Sequence, residues 1–344
     1  MVDIGPLADK VLEYLAERVD TNYRIAVIVV GPPGSGKSTI SEKLCKEINA
    51  RFRQYLQKRS YKTQLLEATK LDGGVENFCE QIPILGPNAR KKLESGLFDH
   101  VEDLNYTPHR FKDDACESQV ITGRGGLPNS IRVSKLRPER SLGNDINIAQ
   151  IVPMDGFHLS RKHLDHFSDS AEAHKRRGSP LTFDSNNYLQ LCRLLAKSCQ
   201  VKPSLSTDCG SHLFDKLSSS FSKDVPSINI PGFDHARKDP TTDEHCIDAF
   251  TRIIVMEGLY LLLNEENWKE IYPVFKETHA VIIWKLDSDV DLLEQRVAQR
   301  HLAAGLAPTL EAGVERFRMN DLPNAMKIKE QSLDADDIVI ISND

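Results

Sequence analysis

Apolar positions along this chain follow two patterns that take turns. "YRIAVIVV" (23–30), "INIAQIVPM" (146–154), "FTRIIVMEG" (250–258) and "HAVIIWKLD" (279–287) are apolar, β-branched runs, and "DIVIISND" (337–344) closes the sequence with another. Runs of this kind with little polar alternation suit strands of a parallel sheet that is covered on both faces. Between them the spacing changes. In "PLADKVLEYLAERV" (6–19), Leu7, Val11, Leu15 and Val19 recur every fourth position behind a proline, which predicts an amphipathic helix. Helical patterns also run from Lys37 to about Asn49, over 186–197, over 289–305 with a glycine stop, and over 309–321. Strands alternating with helices predict an α/β fold, a doubly wound parallel sheet with helices on both faces.

Two stretches break the alternation. From about 51 to 145, "LDGG", "LGPN", "YTPH", "GRGGLPN" and "LRPER" punctuate short apolar pieces, which reads as a large insertion packed at the sheet's edge. The Ser-rich segment 204–223 reads as a loop or excursion. The organisation expected is a core begun over 1–50, an inserted module over 51–145, and the remainder of the core over 146–344.

Composition removes several classes of function. With 40% hydrophobic and 27% charged residues among 344, the chain has ordinary soluble composition. Its 44 Lys+Arg against 50 Asp+Glu give a formal charge of −6 with no long basic block, so nucleic acid is not an expected partner. Seven cysteines without a C-x-x-C pair read as free thiols in a reducing compartment. The apolar runs fall far short of the ~20 residues that cross a bilayer. A soluble, cytoplasmic protein without a transmembrane segment is expected.

The first run ends in chemistry. "GPPGSGKST" (Gly31, Pro32, Pro33, Gly34, Ser35, Gly36, Lys37, Ser38, Thr39) matches G-x-x-x-x-G-K-[ST] between a strand and a helix. Glycines let successive N–H groups turn inward, the helix adds its positive end, and Lys37 reaches the β and γ phosphates. Ser38 is the expected Mg²⁺ ligand, with Thr39 a further hydroxyl near the phosphates. A nucleoside triphosphate belongs here.

Two other runs end in acids. Asp155 follows "IVPM" and Glu257 follows "RIIVM", and parallel sheets bind ligands beyond the carboxyl ends of their strands. Asp155 is placed to accept the proton of an attacking hydroxyl, and Glu257 to hold Mg²⁺ or an acceptor hydroxyl. "TKLD" (69–72) looks like a guanine-reading box but follows a helical pattern too early in the chain, so Asp72 is taken as a loop residue. His158, His163 and His166 read as surface or substrate-pocket histidines rather than zinc ligands, and Trp268 and Trp284 as core.

The ordered set "GPPGSGKST", "PMDGFHL", "KRRGSPLTFD", "PGFDHARKDP" and "VMEGLYLL" resembles the P-loop kinase group of uridine kinase, phosphoribulokinase and pantothenate kinase. Within that group it looks most like a fungal family of ATP-dependent kinases, over about 23–50 and 146–344. The resemblance implies a P-loop NTPase fold, Asp155 as catalytic aspartate, Arg296 and Arg300 as lid arginines, and Asn320 in the segment lining the adenine pocket. The expected function is Mg²⁺-dependent transfer of the γ-phosphoryl group of ATP to a hydroxyl of a small metabolite. Lys37, Glu257 and Arg300 assist Asp155, and His158, Arg177, Asp184 and Arg237 face the acceptor. The basic residues from Arg161 to Arg177 in an acidic protein suit an anionic acceptor. The rival is an ATPase whose hydrolysis drives a conformational change or partner binding.

Overall fold

The computed structural model describes residues 2–58, 74–135, 146–205, 209–221 and 225–344. Its strands are β1 (Ile25–Val30), β2 (His109–Asp113), β3 (Ser118–Thr122), β4 (Ile131–Ser134), β5 (Ala149–Pro153), β6 (Ser227–Asp234), β7 (Asp239–Ile247), β8 (Ile253–Gly258), β9 (Val281–Asp287) and β10 (Ile338–Ser342). They form two five-stranded sheets.

The first sheet has the order β10-β9-β1-β8-β5, with every neighbouring pair parallel. All six residues of β1 are buried, because period-2 alternation splits them between two cores. Ala26, Ile28 and Val30 face one core, with Leu191 and Leu195 of the helix Ser185–Cys199 and Phe275 of the helix Ile271–Lys276. Ile25, Val27 and Val29 face the other, with helices α1 (Ile4–Ala16) and α2 (Lys37–Lys58). This is the doubly wound sheet that the strand and helix patterns predict.

Helix α2 runs past the expected stop near Asn49 to Lys58. Nothing in "ARFRQYLQK" breaks a helix, and Phe52 is fully buried, its ring 5.3 Å from that of Phe214. Phe214 belongs to a helix, Leu213–Ser219, where the Ser-rich segment was expected to be loop. Phe214 and Leu217 hold that helix on the α2 face of the sheet.

The second sheet is antiparallel throughout, in the order β2-β3-β4-β6-β7. Three of its strands come from 51–145, and β4 pairs with β6 through Arg132 opposite Asn229. The irregular segment and residues 227–247 therefore complete one another. Ile121, Ile131, Val133, Ile228, Ile230 and Ile247 from this sheet bury against Val152 and Met154 in the same core that lies under one face of the parallel sheet. The "TKLD" stretch lies outside the described residues.

Candidate active site

Strand register places the site. Val29 and Pro153 both sit opposite Glu257, so β1, β5 and β8 end level with one another. The chain then leaves β1 at Gly31, and leaves β5 through a 3-10 turn, Met154–Phe157, that carries Asp155. A cavity of about 770 Å³ opens beyond these ends, lined by Lys37, Ser38, Asp155, His158, Glu257 and Arg300 among others.

The phosphate loop spans Gly31 to Gly36, and α2 begins at Lys37. Gly34 and Gly36 have φ of +83° and +89°, a left-handed backbone that glycine adopts without strain. The first-turn N–H groups of α2 have no partner within the helix, which suits them to an anion. Lys37 donates to the Pro32 carbonyl at 3.0 Å. Burial brings its ammonium down to about 8, against the opposing pull of Glu257 and Asp155. Ser38 Oγ donates to Glu257 Oε2 at 3.0 Å. Burial also raises the Glu257 carboxyl, with Lys37 opposing and Asp155 reinforcing the shift. Thr39 is exposed on the first turn of α2.

The two arginines one turn apart on the helix Val290–Ala303 differ in what they touch. Arg300 lines the cavity. Arg296 instead donates to the carbonyls of Gly34 at 3.4 Å and Asn343 at 2.9 Å, while Asn343 Nδ2 donates to the Ser35 carbonyl at 2.8 Å. Arg296 thus braces the phosphate loop from behind rather than closing over the cleft. Asn320 lines the cavity from a π-helical turn, Phe317–Asp321, together with Asp321, Asn324 and Arg316. His301 Nε2 stands 3.5 Å from Asp321 Oδ2, and burial lowers the histidine and raises the aspartate.

The other end of the cavity is aromatic and basic. His158 Nδ1 lies 2.8 Å from the Asp155 carbonyl, which only an N–H can satisfy, so the neutral ring carries its proton there. Its ring centroid is 4.0 Å from Phe183 and 4.7 Å from Phe233, and burial holds its pKa down. Arg161, Lys175, Arg177, His235 and Lys238 line this end.

Several expected acceptor contacts fall elsewhere. Arg237 is 80% exposed beside Asp234 and outside the cavity lining. Asp234 Oδ1 accepts from the Ala236 and Arg237 amides, and Lys238 has φ +57°, so this turn brings Lys238 to the cleft instead. Arg177 lines the cleft, but its guanidinium is occupied by the Leu159 carbonyl at 2.8 Å, by Asp239 at 2.9 Å and by the Lys238 carbonyl. Asp184 is fully buried outside the cavity lining. It caps the helix Ser185–Cys199, accepts from the Gly125 amide at 2.7 Å, and has its carboxyl pushed up by burial. His163 is neither surface nor pocket: it is fully buried, with Ser160 Oγ 2.6 Å from its Nδ1 and the Phe98 ring against it.

Among the cavity residues that sequence reasoning did not single out are His235, Lys238, Arg316, His301 and Phe233. Lys238 and His235 stand within the same "FDHARKD" that suggested Arg237, and only the turn geometry separates them. Arg316 and His301 carry no pattern of their own, because helix packing alone brings them to the cleft.

Comparison with known proteins places the chain among close relatives. It is 61% identical over 342 residues to the ATP-dependent kinase YFH7 of Lachancea thermotolerans, covering 98% of this chain and 97% of that protein. It is 45% identical over 342 residues to the protein of that name in Kluyveromyces lactis, covering 97% of this chain and 96% of that one. The crystal structure of the Saccharomyces cerevisiae YFH7, a P-loop containing kinase with a circular permutation, superposes over 100% of both chains with a TM-score of 0.88 at 46% identity. A fructose transport system kinase from a Silicibacter species shares the fold at 21% identity, with a TM-score of 0.53 over 98% of each chain. No family model matches the sequence.

Proposed function

The chain belongs to the YFH7 family of ATP-dependent kinases, and from that premise we propose that it transfers the γ-phosphoryl group of ATP to a hydroxyl of a small anionic metabolite, with Asp155 as the base. The observation that carries this reading is the shared cavity, which joins the phosphate loop to a carboxylate and to a basic, aromatic far end. Its volume of about 770 Å³ lies within the range of small-molecule sites.

Lys37 and the α2 N-terminus bind the β and γ phosphates, and Arg300 adds positive charge where the leaving phosphates gather negative charge. The acceptor hydroxyl oxygen forms a bond to the γ phosphorus as the bond to the β,γ-bridging oxygen breaks. Its electron pair leaves with ADP, and the hydroxyl proton passes to the Asp155 carboxylate. His158 fixes the turn that carries Asp155 and walls the acceptor side. A hydroxyl and a carboxylate in contact are hard oxygen donors that fit Mg²⁺, which binds through one or two protein oxygens and substrate phosphates. Ser38 and Glu257 would hold the ion, and when bound it supplies charge neutralisation on the phosphates. Arg161 and Lys238 have no ion-pair partner among the described residues and stand ready for an acceptor anion.

Incubation of the protein with Mg²⁺, ATP carrying ¹⁸O on the γ-phosphoryl group, and a metabolite extract tests the assignment. One labelled phosphate ester is expected, formed from an already anionic metabolite. Asp155→Asn should lower its formation ~10²- to 10⁴-fold, the range for a lost general base, without weakening nucleotide binding. Labelled inorganic phosphate as the sole product would favour an ATPase, and a neutral acceptor would remove the anionic reading alone.

A further inference from the structure

The turn that carries Asp155 is held from outside the parallel sheet. Asn129 is fully buried in a short 3-10 turn, Leu127–Asn129, between β3 and β4 of the second sheet. Its Nδ2 donates to the Gly156 carbonyl at 2.8 Å and to the His158 carbonyl at 2.9 Å. Two carbonyl acceptors fix the amide's orientation, since only its NH₂ can pair with both. The main-chain carbonyl of Asn129 accepts from Asn187 Nδ2 at 2.7 Å, on the first turn of the helix Ser185–Cys199. The opposite side of the turn is closed by β6, where a side chain at Gly156 would collide with the Pro231 carbonyl. The turn is therefore gripped between two parts of the antiparallel sheet.

We infer that Asn129 is a positioning residue for phosphoryl transfer, and that the antiparallel sheet is a built-in part of the catalytic centre that sets where the Asp155–His158 turn stands. The geometry explains why residues from 51–145 reach so deep. Two other carbonyls of the turn are held without the second sheet: that of Phe157 accepts from the Asp184 amide, and that of Asp155 from the His158 amide. The carbonyls of Gly156 and His158, by contrast, take their hydrogen bonds from Asn129 of the second sheet. Removal of its amide releases both at once and lets the turn shift. A displacement of ~1 Å at a reacting group costs about 10²-fold in rate.

The transfer arm of the test rests on Asp155 being the base, whereas an exchange arm does not. Hydrogen exchange on the full-length wild type, Asn129→Ala and the milder Asn129→Ser is read by mass spectrometry of peptides. Exchange over 154–159 should speed up about tenfold or more in Asn129→Ala, as expected for two lost hydrogen bonds. Peptides from β1 and β3 should keep wild-type protection. The affinity for Mg²⁺ with the non-hydrolysable analogue AMP-PNP should stay within about twofold of wild type, and the KM for ATP in the labelled-product assay should not move, while kcat falls by up to about 10²-fold. Unchanged protection over 154–159 in both variants overturns the inference, as does equal loosening of β1 and β3. If Asp155→Asn keeps full activity, the base assignment fails, and the exchange result still decides what holds the turn.

Discussion

In the proposed reading Lys37 binds the triphosphate as the charged ammonium, while its burial pulls it toward the neutral amine. Burial brings its ammonium down to about 8, yet a triphosphate is held by the charged form. Above that pH, binding must draw a proton from solution, so the Kd for Mg²⁺ with AMP-PNP should rise by up to about tenfold per pH unit. Calorimetry in two buffers of different ionisation heat should then show close to one proton taken up per site near about pH 9. A Kd flat from neutral pH to that point would show that Lys37 stays charged in the free protein. Stability runs the other way. The unfolded chain keeps this proton up to its ordinary value of about 10.4, so between about 8 and 10 it binds more protons than the folded one, and the Lys37 contribution to stability rises with pH. At this scale the sequence made the phosphate loop, Asp155 and Glu257 readable, because a motif or a strand end marks each. Arg237, Asp184 and Arg296 misled because a side chain's type says nothing of its direction: a four-residue turn, a helix cap and a loop carbonyl claim them.

Among the elements, α2 shows what the sequence reveals and what it conceals. Its start is fixed by the phosphate loop, while its end is fixed by contacts with a helix far along the chain. Phe52→Ala should remove the ring packed on Phe214 and Phe221 and cost ~3–5 kcal/mol, the usual range for a buried phenylalanine. Urea unfolding measures it, and a loss below ~1 kcal/mol would mean that the last turns of α2 contribute little to stability. The parallel strands were legible because each is a long apolar run buried on both faces. The antiparallel strands were not. In β2, "HRFKD", only Phe111 is buried, and β4 is four residues long with its partner β6 far along the sequence. Short strands with charged outer faces look like loop until the pairing is known.

At the scale of the whole molecule, one hydrophobic core serves both sheets. Ile131 of β4 is fully buried in that core with Val152 and Met154. Ile131→Ala should therefore cost ~2–5 kcal/mol and move a single unfolding transition. The emission of Trp268 and Trp284 and the far-UV circular dichroism should shift together. Two separated transitions would instead show that the inserted strands fold as a unit of their own. The order of the parallel sheet carries a further consequence, one for synthesis. The central strand, β1, is the first to leave the ribosome, but Ile25 pairs with Ile253 and Ala26 with Val281. "IAVIVV" must wait, unpaired and apolar on both faces, until most of the chain has emerged. Such long-range parallel pairing folds slowly and leaves apolar surface open to aggregation, so the interval between the emergence of this six-residue strand and that of its partners should be the stretch of synthesis in which the nascent chain most needs shielding.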